Sequence, residues 1–191
     1  MNSKKKWDDI YQGSSNKSKD FFQFSQDELS WVLDHFPQAN TVLDIGCGRG
    51  ELLAQLEERG LATEGIDLSS VAMNEAKINC GAALHTGCFE KYSFAPGAVF
   101  DLIFIKFVLA YIVKKDDFFK KVVQLLREGG GCVIITPVIE FSNNPSDSVP
   151  EIFVERKVLD MLLSTYFTVQ VEKKMYEEKE KSLSIFILHK K

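Results

Sequence analysis

The sequence predicts a doubly wound α/β fold, a seven-stranded, mostly parallel sheet with an antiparallel C-terminal hairpin. Three observations predict it. Short apolar segments rich in β-branched residues alternate with segments whose apolar residues recur at helical spacing. The first strand runs into a glycine-rich turn that opens a helix. The last two strand-like segments, Phe167 to Tyr176 and Ser182 to His189, are separated by a loop too short for a crossover. Alternation of strand and helix demands right-handed crossovers and helices on both faces of the sheet, which is the doubly wound arrangement.

Taken in order, Ser25-Gln26-Asp27-Glu28 has the form of a capping box, and Leu29, Val32, Leu33 and Phe36 follow at helical spacing as far as Pro37. A helix is therefore expected over about 26–36. Thr41 to Ile45 reads as the first strand, and Glu51 to Arg59 as a helix closed by Gly60. Ala62 to Asp67 is a second strand, and Ser69 or Ser70 caps a helix whose apolar face holds Val71, Ala72, Ala76 and Ile78. Ala82 to Thr86 is a weak third strand. Val99 to Lys106 is a strong fourth, apolar on both faces as a central parallel strand must be. Phe118, Val122, Val123, Leu125 and Leu126 mark a helix ending at Gly129-Gly130-Gly131, and Cys132 to Thr136 a fifth strand stopped by Pro137. One more helix is expected near 151–164, before the hairpin. Residues 1–40 form an N-terminal helical cap and 41–191 the main domain, in one compact body.

Composition sets limits on function. The 191 residues are 45% hydrophobic and 26% charged, as a globular chain is. The net charge of −4 repels polyanions, so no nucleic-acid partner is expected. Lys4-Lys5-Lys6, Lys114-Lys115 and Lys120-Lys121 have acids beside them and read as solvated faces. The start has no apolar stretch behind its lysines, and the longest apolar run, Phe107 to Val113, is far below the ~20 residues that span a bilayer. A cytoplasmic protein without a membrane partner, monomeric or homodimeric, is expected. Cys47, Cys80, Cys88 and Cys132 lack metal-ligand spacing and read as buried thiols in a reducing compartment.

In open α/β sheets a ligand lies beyond the carboxyl ends of the strands, next to the first strand-to-helix turn. That turn reads Asp44-Ile45-Gly46-Cys47-Gly48-Arg49-Gly50. Gly46 and Gly48 let a ligand approach the backbone, Gly50 lets the helix start close to the strand, and the helix N-terminus favours an anionic group. Asp67 ends the second strand about 20 residues later, the distance at which an acid reaches the hydroxyls of a ribose held over the turn. The alternative is that both acids cap strands and the glycines only tighten a turn. The dinucleotide fingerprint is G-x-G-x-x-G, whereas this turn is G-x-G-x-G with Glu51 in place of the third Gly, so a pyrophosphate fits poorly.

Val42 to Gly50 resembles the first motif of class I S-adenosylmethionine (SAM)-dependent methyltransferases, and Glu64-Gly65-Ile66-Asp67-Leu68-Ser69 their second-strand motif. Phe100-Asp101-Leu102-Ile103-Phe104, Leu126-Arg127-Glu128-Gly129-Gly130 and the late hairpin extend the likeness from about residue 41 to the end. Trp7-Asp8-Asp9-Ile10-Tyr11 looks like the W-D-x-x-Y stretch that opens many small-molecule members. The resemblance implies the strand order 3-2-1-4-5-7-6 and SAM as cofactor. It places Gly46, Cys47 and Gly48 against the methionine part, with Asp44 acting on its ammonium. Asp67 holds the ribose, Leu68, Cys88 and Phe89 flank the adenine, Lys106 and Phe107 line the methionine side, and Tyr11 helps cover the cofactor. For Cys88, Phe89 and Phe107, core packing is the competing reading.

Metal-independent methyl transfer to a small-molecule acceptor is the expected activity, with the O, N, S or C atom left open. The acids that hold a divalent metal in some family members are replaced by Ile105-Lys106-Phe107 and Thr136-Pro137, and the N/D-P-P-Y/F motif of amino-directed members is missing after the fourth strand. Tyr111 and Glu140 lead the candidates for an acid–base group, followed by Lys106, Tyr11, Glu90 and His85; for each, a wall residue is the competing reading. Asp20-Phe21-Phe22-Gln23-Phe24 and Val138 to Pro150 look like covering segments, and fifteen Phe suggest an apolar acceptor. The alternatives kept open are a methyltransferase acting on protein or tRNA, a SAM-binding scaffold without chemistry, and an NAD-dependent oxidoreductase.

Overall fold

The computed structural model describes residues 3–13, 23–140 and 152–191. They gather into two compact units, Met1–Ala98 and Val99–Lys191. The first unit holds α1 (Ser3–Gly13), α2 (Gln26–Leu33), β1 (Thr41–Ile45), α3 (Glu51–Glu57), β2 (Ala62–Asp67), α4 (Ser70–Asn79) and β3 (Ala83–Thr86). The second holds β4 (Phe100–Lys106), a 3-10 turn at Leu109–Tyr111, α5 (Lys115–Leu125), β5 (Leu126–Ile139), β6 (Val154–Glu155), α6 (Arg156–Tyr166), β7 (Phe167–Glu178) and β8 (Lys181–Lys190). The strand order is β3-β2-β1-β4-β5-β8-β7, with β6 paired to β5. This is the expected doubly wound sheet with its antiparallel hairpin. The two-residue β6, which carries no sequence signal of its own, shifts the expected 7-6 ending to 8-7. Among the described residues, no helix is long and apolar enough to cross a membrane.

In the first unit the capping box forms as read. The Ser25 hydroxyl accepts the Glu28 N–H at 3.1 Å, and the Glu28 carboxylate accepts the Ser25 N–H at 3.0 Å. The helix ends at Leu33 rather than 36, because His35 and Phe36 bond three residues back, to Val32 and Leu33, and tighten the last turn. β1 pairs in parallel with β2, and β2 with β3. Leu52, Leu53 and Leu56 of α3 are buried, as are Val42, Leu43 and Ile45 of β1. On α4 the inward face is Ala72, Met73 and Ala76, whereas Ile78 is 85% exposed. Helical spacing from 72 through 76 carries residue 78 round to solvent, so the expected place of Ile78 on the apolar face is corrected.

In the second unit β4 buries Leu102 through Ile105 without a break, the mark of a strand covered on both faces. β5 is longer than expected at both ends. Phe100 pairs with Leu126 and Leu102 with Gly131, so Arg127 to Gly130 bulge out of the ladder, with Gly129 at φ 75° and Arg127 held 3.1 Å from Asp101. The expected turn before the fifth strand is thus a bulge within it. Pro137 does not stop the strand. The ladder to β4 ends at Ile135 and the one to β6 begins at Val138, so the missing N–H of Pro137 falls where β5 changes neighbour. The hairpin turn shrinks to Lys179-Glu180, with Lys179 at φ 55°. Of the expected covering segments, 20–22 and 141–150 lie outside the described residues; Phe24 is a core residue, and Val138 and Ile139 belong to β5.

Arg156 on α6 is bidentate to Glu172 on β7, at 2.6 Å for both contacts, and its guanidinium lies 5.9 Å from the Phe186 ring. The Arg156 hydrogen bonds hold the Glu172 carboxyl below its ordinary range. A depressed carboxyl contributes stability above its unfolded value and loses it as pH falls through the folded one. Glu172→Gln is therefore expected to unfold about 1 kcal/mol more easily at neutral pH, and urea titrations should show the gap to wild type closing below the ordinary carboxylate range.

Candidate functional site

The turn after β1 folds over the end of β2. The N–H groups of Gly46 and Cys47 donate to the Ile66 carbonyl at 2.7 and 3.2 Å, and Gly50 N–H donates to Cys47 at 3.0 Å. Gly46, Gly48 and Gly50 take φ of 78°, 55° and 80°, values in the left-handed region that side chains disfavour. Beneath the turn β2 must pass close by. A Cβ on Gly65 would stand 2.6 Å from Leu53 Cδ1 and 2.8 Å from Cys47 Sγ.

Asp67 links the pieces. One carboxylate oxygen accepts Gly48 N–H at 3.0 Å and the other Ser69 N–H at 2.7 Å, which ties the turn to the start of α4. Burial pushes the Asp67 carboxyl above its usual range, held back by backbone N–H groups of Ser69, Gly48 and Leu68. Asp44 is also buried, near the end of β1, and Leu68 is half-buried just after Asp67. The Cys47 thiol lies 3.7 Å from Met73 Sδ, and burial drives its pKa well up, so it stays a protonated packing group.

The N-terminal helix reaches this turn. Tyr11 places its hydroxyl 2.7 Å from where a Cβ on Gly48 would stand. Burial, followed by the negative charge of Asp67, drives the phenol pKa far up, so Tyr11 is a neutral hydroxyl and unsuited to act as a base. Two residues to which the sequence reading gave no role hold α1 in place. Arg49, buried within the turn, donates to the Tyr11 carbonyl at 3.0 Å, pairs with Glu75 at 2.7 Å and lies 5.3 Å from the Tyr11 ring. Asp8 accepts the Ser69 hydroxyl at 2.7 Å and the Val71 N–H at 3.3 Å at the start of α4, and Lys4 lies 2.5 Å away. Hydrogen bonds from Lys4 and Ser69 hold its carboxyl well below the usual range. The signal was present in W-D-x-x-Y, in which only the Tyr was assigned a task.

The segment after β3 begins beside Asp67, whose carbonyl accepts Gly87 N–H at 2.9 Å. Cys88 is half-buried, with its thiol 3.5 Å from Glu90, and Phe89 is 6% exposed. His85 is engaged by Glu64 and Tyr92, each at 2.9 Å, which removes it from the list of bases open to a substrate. The four thiols are free, and the expectation that all are buried holds for Cys47 and Cys132, while Cys80 and Cys88 are partly exposed.

The remaining candidates belong to the second unit. Lys106 ends β4, and Phe107 follows at φ 57°, rare for a residue with a side chain, with its N–H donating to Ile135 at 2.8 Å. Tyr111 closes the 3-10 turn after β4. Glu140 follows β5, its N–H bonded to Glu180 at 2.8 Å and its carboxylate 3.7 Å from Lys174.

The first turn, tied to an acid that ends the second strand, stands where open α/β sheets hold their ligands, beyond the carboxyl ends of the strands. Residues 42–130 match the sequence profile of a family described as methyltransferase domain. The chain is 33% identical over 88 residues to dTDP-3-amino-3,6-dideoxy-alpha-D-glucopyranose N,N-dimethyltransferase of Streptomyces fradiae, covering 46% of this chain and 33% of that one. It is 26% identical over 114 residues to ubiquinone biosynthesis O-methyltransferase of Azoarcus sp., covering 56% and 49%. Its fold is similar to that of geranyl diphosphate C-methyltransferase from Streptomyces coelicolor A3(2), solved with Mg2+, geranyl diphosphate and S-adenosyl-L-homocysteine. The TM-score is 0.72 at 16% identity, over 86% of this chain and 78% of that one. The chain thus spans about a third to a half of the length of these two curated relatives. Over residues 42–130, just under half of its length, the chain is thus similar to a methyltransferase domain.

The tight passage of β2 under the turn is directly testable. Gly65→Ala should cost about 1–3 kcal/mol of stability by overpacking, read as a fall in the midpoint of thermal unfolding. An unchanged midpoint would mean that the turn stands further from β2.

Proposed function

We propose that this chain binds SAM at the turn between β1 and α3 and transfers its methyl group to a small-molecule acceptor without a metal. The observation that carries the reading is the Asp67 carboxylate, buried and bonded to Gly48 N–H at the lip of a turn built from left-handed glycines. The residues fit a nucleoside. A carboxylate is the natural acceptor for a pair of ribose hydroxyls, and the absence of a Cβ at Gly48 lets the Tyr11 hydroxyl close directly on the turn. Asp67 would hold the ribose, with Leu68, Cys88 and Phe89 on the adenine side. Gly46, Cys47 and Gly48 would lie along the amino-acid portion, with Asp44 on its ammonium. Lys106 and Phe107, which belong to the other unit, are carried over by the family resemblance. Bound SAM supplies a methyl on a sulfonium, already a good leaving group. The chain's own task is then to orient the acceptor and exclude water, and such positioning is worth ~7–11 kcal/mol. Helix α1 would serve as the cover, with Tyr11 over the turn and Asp8 and Arg49 as its fastenings.

A small acceptor is supported by the net charge of −4, which disfavours nucleic acid, and by relatives whose names specify an amino sugar nucleotide and a ubiquinone precursor pathway. Metal independence is supported by Lys106 and Thr136 standing where metal-dependent relatives carry acids.

Calorimetric titration with SAM, S-adenosylhomocysteine and NAD should give micromolar binding of the two adenosyl ligands and none of NAD. Asp67→Asn should weaken both by about 10-fold or more. Affinity should fall on acidification from above the ordinary carboxylate range, because burial raises the pKa of Asp67 and protonation removes its acceptor charge. Binding of NAD alone, or of nothing, would overturn the reading.

A further inference from the structure

A hydrogen-bonded chain runs from β2 through β3 to the segment that carries Cys88 and Phe89. His85 Nε2 lies 2.9 Å from Glu64 Oε2, and its Nδ1 lies 2.9 Å from the Tyr92 hydroxyl. With the Glu64 carboxylate as acceptor and the imidazole in its neutral form, Nε2 carries the ring hydrogen and Nδ1 accepts from Tyr92 O–H. Every link then has one donor and one acceptor, and the order fixes the direction of both rings. Phe94 stands edge-on to His85 at 5.6 Å and to Tyr92 at 4.9 Å, and lies 6.2 Å from Phe89.

Tyr92 in turn fixes what precedes it. Its N–H donates to the Cys88 carbonyl at 2.9 Å and to that of Phe89 at 3.3 Å, while Lys91 N–H donates to Cys88 at 3.0 Å. Cys88 to Tyr92 is a closed turn, so holding its last residue holds the first two. Apolar burial holds the Phe89 side chain, but the strand that leads into the turn adds little to it. β3 has four residues, none of them fully buried, and ends the strand order. A short strand of this kind gives the segment leaving it little anchorage, whereas a fully satisfied polar chain specifies one geometry.

We propose that Glu64, His85 and Tyr92 are positioning residues that set the Cys88–Phe89 turn as the adenine-side wall of the cofactor site. This inference rests on the SAM-binding reading above. The chain touches the cofactor only through the turn it holds, so its loss should weaken adenine-side contacts while leaving the Gly48–Asp67 end intact.

The test uses Tyr92→Phe, which keeps the ring and removes only the hydroxyl, and His85→Phe, which keeps an aromatic ring and cuts both links. Calorimetry with S-adenosylhomocysteine should show each variant binding about 3- to 10-fold more weakly than wild type. Amide NMR spectra at saturating ligand should retain the shifts of Gly48 and Ser69 and lose that of Phe89. Unchanged affinity in both variants, or loss of all these shifts together, would overturn the inference. Failure of the wild-type protein to bind the ligand would instead overturn the SAM-binding reading, so the two failures are distinguishable.

Discussion

The Asp67 carboxylate is the interaction on which the first unit depends. It ends β2, and its two oxygens are shared between the glycine turn and the first residue before α4. Burial favours the neutral acid and raises its pKa, and the backbone N–H groups around it offset part of that shift. A group so placed is already organised to accept hydrogen bonds. A ribose bound as proposed would meet an acceptor whose orientation has been set by folding, so little ordering would remain to be done on binding.

The constraint propagates outward through packing. Asp67 can reach Gly48 only if the turn lies directly on β2, and that closeness requires a residue without a side chain at 65 and one of modest size at 47. The thiol of Cys47 is therefore a packing group whose burial keeps it protonated. The same turn presents Arg49, which clasps the carbonyl of Tyr11, while the start of α4 presents Ser69 to Asp8. One turn thereby organises a strand end, a helix start and the N-terminal helix.

Much of this was legible in the sequence because the signals were local. The G-x-G-x-G turn, Asp67 about 20 residues later and the alternation of strand and helix each report on a short stretch of chain. The capping box at Ser25 is legible for the same reason, since both of its hydrogen bonds span three residues. What escaped depends on contacts between distant residues. Arg49 looks like any turn arginine until Tyr11 and Glu75 close on it, and Asp8 needs Ser69, which lies on another element. The path of β5 through Pro137 depends on which strand lies beside it at each position. His85 invited a catalytic role as an isolated imidazole, but Glu64 and Tyr92 occupy both of its nitrogens.

The most direct test of the central claim is a crystal structure of the chain grown with S-adenosylhomocysteine. The account predicts the ribose hydroxyls within hydrogen-bond distance of the Asp67 carboxylate and the homocysteine portion running along Gly46 to Gly48. A nucleoside bound elsewhere, with Asp67 still engaged only by Gly48 and Ser69, would contradict it and reduce the Asp67 contacts to a means of holding the turn.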